Sequence, residues 1–458
     1  MKRTVVVVLT AVLAVGGAVF TAEAAWAAPL VAPIPVGSIP AGVAFSPDGQ
    51  RAYVTNDGAG TVSVIDVATH TVDATTPSIT VGSNPNDVAF SPNGKYAYVV
   101  NNSQNTVSVI DVATNTVDAT TPSITVGSAP AALAVSPNGK YVYVANDSDN
   151  TVSVIDVATN ALDATTPSIS VGAVPFDVAF SPNGKYAYVT NDGAGTVSVI
   201  DVATNALDAT TPSITVGPFP FAVAVSPDGK YAYVSVEGSH ALSVIDVATN
   251  TVDAVTPSIP VGTVPYSVAF SPNGKYALVS TQGHSVSVID AATNTVDAVT
   301  PSIPVGSGPF GVAFSPNGRY AYVANQGSNS VSVISLTKFG SALPPKASVG
   351  SAYSFTVPAF NATSFAVTAG ALPAGLVLDP TTGAITGTPT TAGAFTFTVT
   401  ASGGDIGPAA RAYTITVRAM LATTGVSVSP LIPGGALAAI LLGGILALLT
   451  ARRRRPRH

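Results

Sequence analysis

The chain has 458 residues, a formal net charge of −6 and no cysteine, which excludes disulfides, thiol catalysis and cysteine metal sites. Only 9% of its residues are charged and the balance is acidic, which argues against nucleic acid as a ligand, because phosphate binding needs clustered Lys and Arg. Its 41 Gly and 36 Pro suit an all-β protein full of tight turns, long enough for two or three domains.

Residues 1–27 read as a secretory signal peptide: a basic start, Met1-Lys2-Arg3-Thr4, an apolar run over Val5–Phe20, and a small-residue exit at Ala25-Trp26-Ala27. Residues 28–337 then carry a unit of about 45 residues. Its Ser-Pro-Asn/Asp-Gly core recurs at Ser46, Ser91, Ser136, Ser181, Ser226, Ser271 and Ser315. A fixed period of this size marks a solenoid, propeller or array. Within each unit, short β-branched and aromatic runs alternate with turn residues and no helical period occurs, so four short strands joined by hairpins are predicted. Ser-Pro-Asn-Gly suits a type I turn, with Pro setting φ at the second position and Gly free to take positive φ at the last. One such sheet cannot bury both of its apolar faces, whereas seven packed radially can, and a seven-bladed β-propeller is expected. The seventh unit lacks a fourth strand, while Leu30–Gly37 matches a fourth-strand ending. The two ends of the array should therefore close one blade together.

Tyr53-Val54-Thr55-Asn56 and Tyr188-Val189-Thr190-Asn191 spell a YVTN signature. The array resembles the YVTN family of β-propeller repeats, common on prokaryotic surface proteins, and the resemblance implies the fold far more than an activity.

Differences among the units point to a ligand face. They gather after the Val-Gly dipeptide (Asn86, Asp87, Phe176, Asp177, Phe219, Phe221, Tyr266, Phe310) and in the loop after the second strand (Glu237, His240, His284). Because strands alternate in direction, both places lie on one face of the disc, around the mouth of the channel, and loops on a rigid scaffold are where propellers carry function. Drift in tolerant loops is the competing reading. His240 and His284 read as solvated loop residues, so no metal site is expected. The sequence holds no Gly-x-Ser-x-Gly, no phosphate-binding loop and no His-Glu-x-x-His. The expectation is a binding or envelope module for a glycan or protein, with no catalytic residue and no cofactor. The alternative is an enzyme, since lactonases and quinone-dependent dehydrogenases use similar propellers.

Residues 338–350 read as a linker. Residues 351–418 resemble the putative-Ig modules of bacterial surface proteins, a small Ig-like β-sandwich, and with only Asp379 and Asp405 as carboxylates no calcium site is expected. A second linker over 419–430 holds Leu421-Ala422-Thr423-Thr424-Gly425. An apolar stretch, 431–451, is long enough to span a bilayer, and a basic tail, 452–458, would hold its end in the cytoplasm. Pentapeptide, span and tail resemble a cell-wall sorting signal of the Leu-Ala-x-Thr-Gly type found with actinobacterial sortases. The resemblance implies cleavage at Thr424–Gly425 by a sortase, transfer to peptidoglycan, and an extracellular, wall-bound chain. A plain membrane anchor is the competing reading.

Overall fold

A computed structural model describes residues 32–419, apart from 299–300, 336–337, 340–341, 361, 363 and 404–405. The expected signal peptide (1–27), the Leu421–Gly425 pentapeptide, the apolar span (431–451) and the basic tail (452–458) lie outside the described residues. Among the described residues no helix is long and apolar enough to cross a membrane.

The repeat folds as seven four-stranded blades around one axis. In blade 2 the first three strands are Pro85–Phe90, Tyr96–Asn101 and Thr106–Asp111, all antiparallel. The fourth position is filled in two pieces, Thr116–Val117 and Ser123–Thr125, which pair with the two ends of the third strand. Sequence reasoning expects one weak strand here. It breaks because Asp118 Oδ1 accepts from the amides of Thr120 and Thr121 and folds the intervening residues into an Asx turn. At the opposite end, the Ser91-Pro92-Asn93-Gly94 hairpin closes with Gly94 N–H on Ser91 O at 2.8 Å and Gly94 at φ 69°.

The ring closes with both ends of the array. Ile34 and Pro35 pair with Val331 and Ser330, so the last blade has the order Ile34–Pro35, Ser330–Ser335, Tyr320–Asn325, Pro309–Phe314. Each sheet is apolar on both faces, and each face is buried against a neighbouring blade. Tyr98, Val107 and Val109 of blade 2, for example, meet Leu133, Val142 and Val144 of blade 3.

A polar latch crosses these dry interfaces. The fully buried second-strand tyrosine of one blade donates to the Asn that ends the Ala-Thr-Asn turn of the next. Tyr53 to Asn115, Tyr98 to Asn160, Tyr143 to Asn205, Tyr188 to Asn250 and Tyr233 to Asn294 do so at 2.5–2.6 Å. Blade 7 ends in Ser335-Leu336-Thr337-Lys338 and has no such Asn, and blade 6 has Leu278 in place of the Tyr. At the closing seam His70 stands for Asn, with its Nδ1 2.6 Å from the Tyr322 hydroxyl.

The C-terminal module is a two-sheet sandwich. One sheet has the order Ala347–Ser348, Ile406–Arg418, Gly393–Gly403, Ser364–Gly370; the other has Tyr353–Thr356, Ala384–Gly387, Leu376–Leu378. Phe355, Phe365, Ile385, Phe397, Tyr413 and Ile415 fill the space between them. The span expected as a linker, 338–350, is part of this module: Ala347–Ser348 pairs in parallel with Val417–Arg418. A two-residue strand after Pro344-Pro345 carries no periodic signal to reveal it.

Candidate functional site

The first strand of each blade pairs on one side only, with the second strand, and its neighbours on the other side are the first strands of the adjacent blades. These seven strands therefore line the axis, each with a free edge facing it. All seven begin with Pro and slip register just after it, as between Pro85 and Val88 or Pro175 and Val178. Such a bulge re-aims side chains. It delivers two consecutive residues per blade to the mouth of the channel.

The outer of the two residues is small or an amide in blades 1–3 (Ala41, Asn86, Ala131) and aromatic in blades 4–7 (Phe176, Phe221, Tyr266, Phe310). The four rings touch. Phe221 lies 4.0 Å from Phe176 and 5.5 Å from both Tyr266 and Phe310, centroid to centroid, and Tyr266 lies 5.5 Å from Phe310. All four keep part of their surface open. Asn86 Nδ2 donates to Ala131 O at 2.7 Å, tying blade 2 to blade 3.

The inner residue is Gly42, Asp87, Ala132, Asp177, Ala222, Ser267 or Gly311. Asp87 Oδ1 accepts from its neighbour Val88 N–H, and Oδ2 accepts from Leu133 N–H on the free edge of blade 3. Asp177 does the same with Val178 and, in blade 5, Val223. Ser267 Oγ accepts from Val312 N–H in blade 7. A hydroxyl thus suffices for this inter-blade bond, and four blades close with no side chain able to make it, so closure does not require the carboxylates.

Both residues retain some accessible surface, yet their carboxyls sit within the disc with protein on every side. Loss of solvation dominates. It pushes Asp87 up to about 6 against its two amide bonds. It pushes Asp177 up to about 7, with the charge of Asp87 adding to the shift. The charge of Asp87 thus bears on the titration of Asp177, and both carboxyls titrate near neutrality.

An outer rim surrounds the mouth. The residue before each Pro lies in the left-handed region, including Ile39 (φ 52°), Val174 (φ 56°), Phe219 (φ 58°) and Val264 (φ 48°), which is strained for β-branched and bulky residues. Side chains of the neighbouring blade hold three of these amides: Ile39 N–H by Asn329 Oδ1, Val174 N–H by Asn150 Oδ1, and Val264 N–H by His240 Nδ1 at 3.1 Å. His240 therefore serves as an acceptor through Nδ1. Among the predicted face residues the structure brings together Asn86, Asp87, Phe176, Asp177, Phe221, Tyr266 and Phe310 at the axis. It leaves Phe219, 53% exposed, with Glu237, His240 and His284 on the rim. Among the described residues no three His, Asp or Glu side chains gather as metal ligands would. Sequence reasoning missed Ser267 and the supports beneath the mouth. Thr190 Oγ1 and Ser235 Oγ donate to Phe221 O and Tyr266 O at 2.8 and 2.6 Å. For Ser267 the signal was available in the second residue after each blade-opening Pro.

Residues 37–219 and 177–297 match the family described as lactonase, 7-bladed beta-propeller, and residues 334–418 match the putative Ig domain. Among solved structures, hydrazine synthase of Kuenenia stuttgartiensis aligns with a TM-score of 0.57 and 26% identity, over 65% of this chain and 95% of that one. No curated protein matches the chain. These findings overturn the expectation of a non-catalytic module, since both likenesses point to an enzyme. That expectation looked for several singular charged residues in near-identical blades. Asp87 and Asp177 show in sequence as two departures from the repeat, but that enclosure, with the charge of Asp87 adding at Asp177, raises them toward neutrality shows only in the structure. The chain belongs to the lactonase, 7-bladed β-propeller family.

Proposed function

We propose that the propeller is a hydrolase that opens small cyclic esters at the channel mouth, with Asp87 and Asp177 as its acid–base pair. The observation that supports this most is the pair itself: two carboxyls on axis-facing edges, shifted to about 6 and about 7 by burial and not required for closing the ring. Near pH 6.5 the group with the lower value, Asp87, is the base, and Asp177 keeps the proton. Asp87 takes a proton from water as its oxygen attacks the ester carbonyl. The ring C–O bond then breaks, and the leaving alkoxide takes the proton from Asp177, giving a hydroxy acid. The rings of Phe176, Phe221, Tyr266 and Phe310 offer an apolar wall for the substrate's carbon skeleton. We also propose that the enzyme is displayed at the cell surface through Leu421–Gly425.

The test is hydrolysis of a panel of five- and six-membered lactones by the wild-type chain, Asp87→Ser and Asp177→Ser. Serine at these positions can keep the inter-blade bond, as Ser267 does, while removing the titrating group. Turnover by wild type and its loss in both variants, with unchanged circular dichroism, supports the reading. No turnover of any lactone, or full activity in the serine variants, defeats it.

A further inference from the structure

The substrate class of this mouth can be narrowed from its aromatic wall and from where the charges of the propeller lie; the inference rests on the hydrolase reading for the lactone and for taking the mouth as the binding site. Each blade carries one Lys or Arg, directly after Ser-Pro-Asn/Asp-Gly in six blades, as with Lys95, Lys140 and Lys185, and one residue later, as Arg51, in the first. That hairpin opens the second strand, and the mouth loop follows its end, six residues on. At about 3.3 Å per residue these cations stand roughly 20 Å from the mouth face. There the residue following the second strand is Asp57, Asp147, Asp192 or Glu237 in four blades and a neutral amide in the other three. Each is fixed by its own backbone N–H, which bonds to the left-handed residue before the Pro; Asp192 N–H meets Val174 O at 2.8 Å and Glu237 N–H meets Phe219 O at 3.0 Å.

These carboxylates act on one another and on the wall. Asp192 is raised by burial and then by the charges of Glu237 and Asp147. Tyr266 is raised by burial and then by Glu237. The rim and the wall are thus one electrostatic unit, with negative ring faces beside negative carboxylates. An aromatic surface in such a field attracts a desolvated cation and repels an anion.

We propose that the mouth binds an organic cation, an alkylammonium group set against Phe221 and Tyr266 and within the field of Asp192 and Glu237, so that the substrates are lactones bearing a protonated or quaternary amine. A phosphorylated or carboxylated lactone meets repulsion at the same place.

Choline and its neutral isostere 3,3-dimethylbutan-1-ol serve as probes, titrated calorimetrically into the full propeller-containing chain. Choline should bind saturably and at least about tenfold more tightly than the isostere. Glu237→Gln, a loop change, should weaken choline and leave the isostere unchanged. Tyr266→Phe should retain choline binding and Tyr266→Leu should lose it. Asp177→Ser should still bind choline, which separates this inference from the hydrolase reading, because binding is measured without turnover. Equal affinity for the two probes, no saturable choline binding, or indifference to both Glu237→Gln and Tyr266→Leu overturns it.

Discussion

The two faces of the propeller disc are made by the same strands, yet one is uniform and the other is not. On the hairpin face, Ser91, Ser136 and Ser181 each accept through Oγ from the amide five residues on, at 2.9–3.0 Å. Lys95, Lys140 and Lys185 each lie 4.5–4.6 Å over the adjacent Tyr ring. On the mouth face, equivalent positions hold Ala41, Asn86, Ala131, Phe176 and Tyr266. A repeat must agree with itself where blade packs on blade. Around the axis that demand is relaxed, because a blade there faces the channel as well as its neighbours. The uniform face describes how the ring is built, and the varied face is where a site can be placed.

The largest effect that would sharpen this contrast is catalytic. Asp87→Ser or Asp177→Ser should lower kcat/KM for lactone opening by about 10²–10⁴, and the double variant should be little worse than either single one, because groups acting as a unit are not additive. A matched change on the hairpin face, Asn183→Ala, should leave kcat/KM alone. Strictly multiplicative losses in the double variant would show that the two carboxyls do not act as a unit. The pH profile is the second measure. Activity should rise through about 6 as Asp87 ionises and fall through about 7 as Asp177 gives up its proton, leaving a narrow maximum. A plateau that runs unbroken to pH 9 contradicts the assignment.

Much of the ring was legible because a period of about 45 residues samples the same packing problem seven times. The closing strand was legible for the same reason, as a deficit at one end and a surplus at the other. The mouth was legible in part. Phe176, Phe221, Tyr266 and Phe310 stand out as departures from a repeat, and so do Asp87 and Asp177. What sequence could not give was their neighbours. That Asp177 is enclosed by protein, bonded to Val223 of the next blade and within reach of the charge of Asp87, depends on the placement of residues about 45 or 90 positions apart. The latch shows the same limit. Leu278 looks like an ordinary substitution until the missing Asn of blade 7 explains it.

The latch provides the next measurement, on the uniform side of the contrast. Tyr188→Phe leaves Asn250 Oδ1 buried without its donor and should cost about 1–3 kcal/mol in chemical denaturation. Leu278→Tyr places a hydroxyl where blade 7 offers no Asn, and should destabilise the chain rather than strengthen it. Stabilisation by Leu278→Tyr would mean that the correlation between the two absences has no physical basis.

The smallest effect tests the varied side through stability alone, with no substrate present. Asp177 has a value of about 7 in the folded chain, against about 3.9 for an ordinary Asp in the unfolded one. Below the lower value both states are protonated, and the group adds no difference. Between the two values the folded state holds a proton that the unfolded state has released, so stability falls as pH rises from about 4 to about 7 and stays lowered above that. Asp177→Ala removes the titration. Alanine suits the position, since Ala132 and Ala222 occupy it in neighbouring blades, and the lost bonds to Val178 and Val223, which favour the ionised form, are already contained in the net upward shift. The melting temperature of wild type minus that of Asp177→Ala should therefore be greatest near pH 4 and shrink by pH 8. Parallel curves for wild type and Asp177→Ala would mean that water solvates the carboxyl freely. The mouth would then lose the poised acid that separates it from the opposite face.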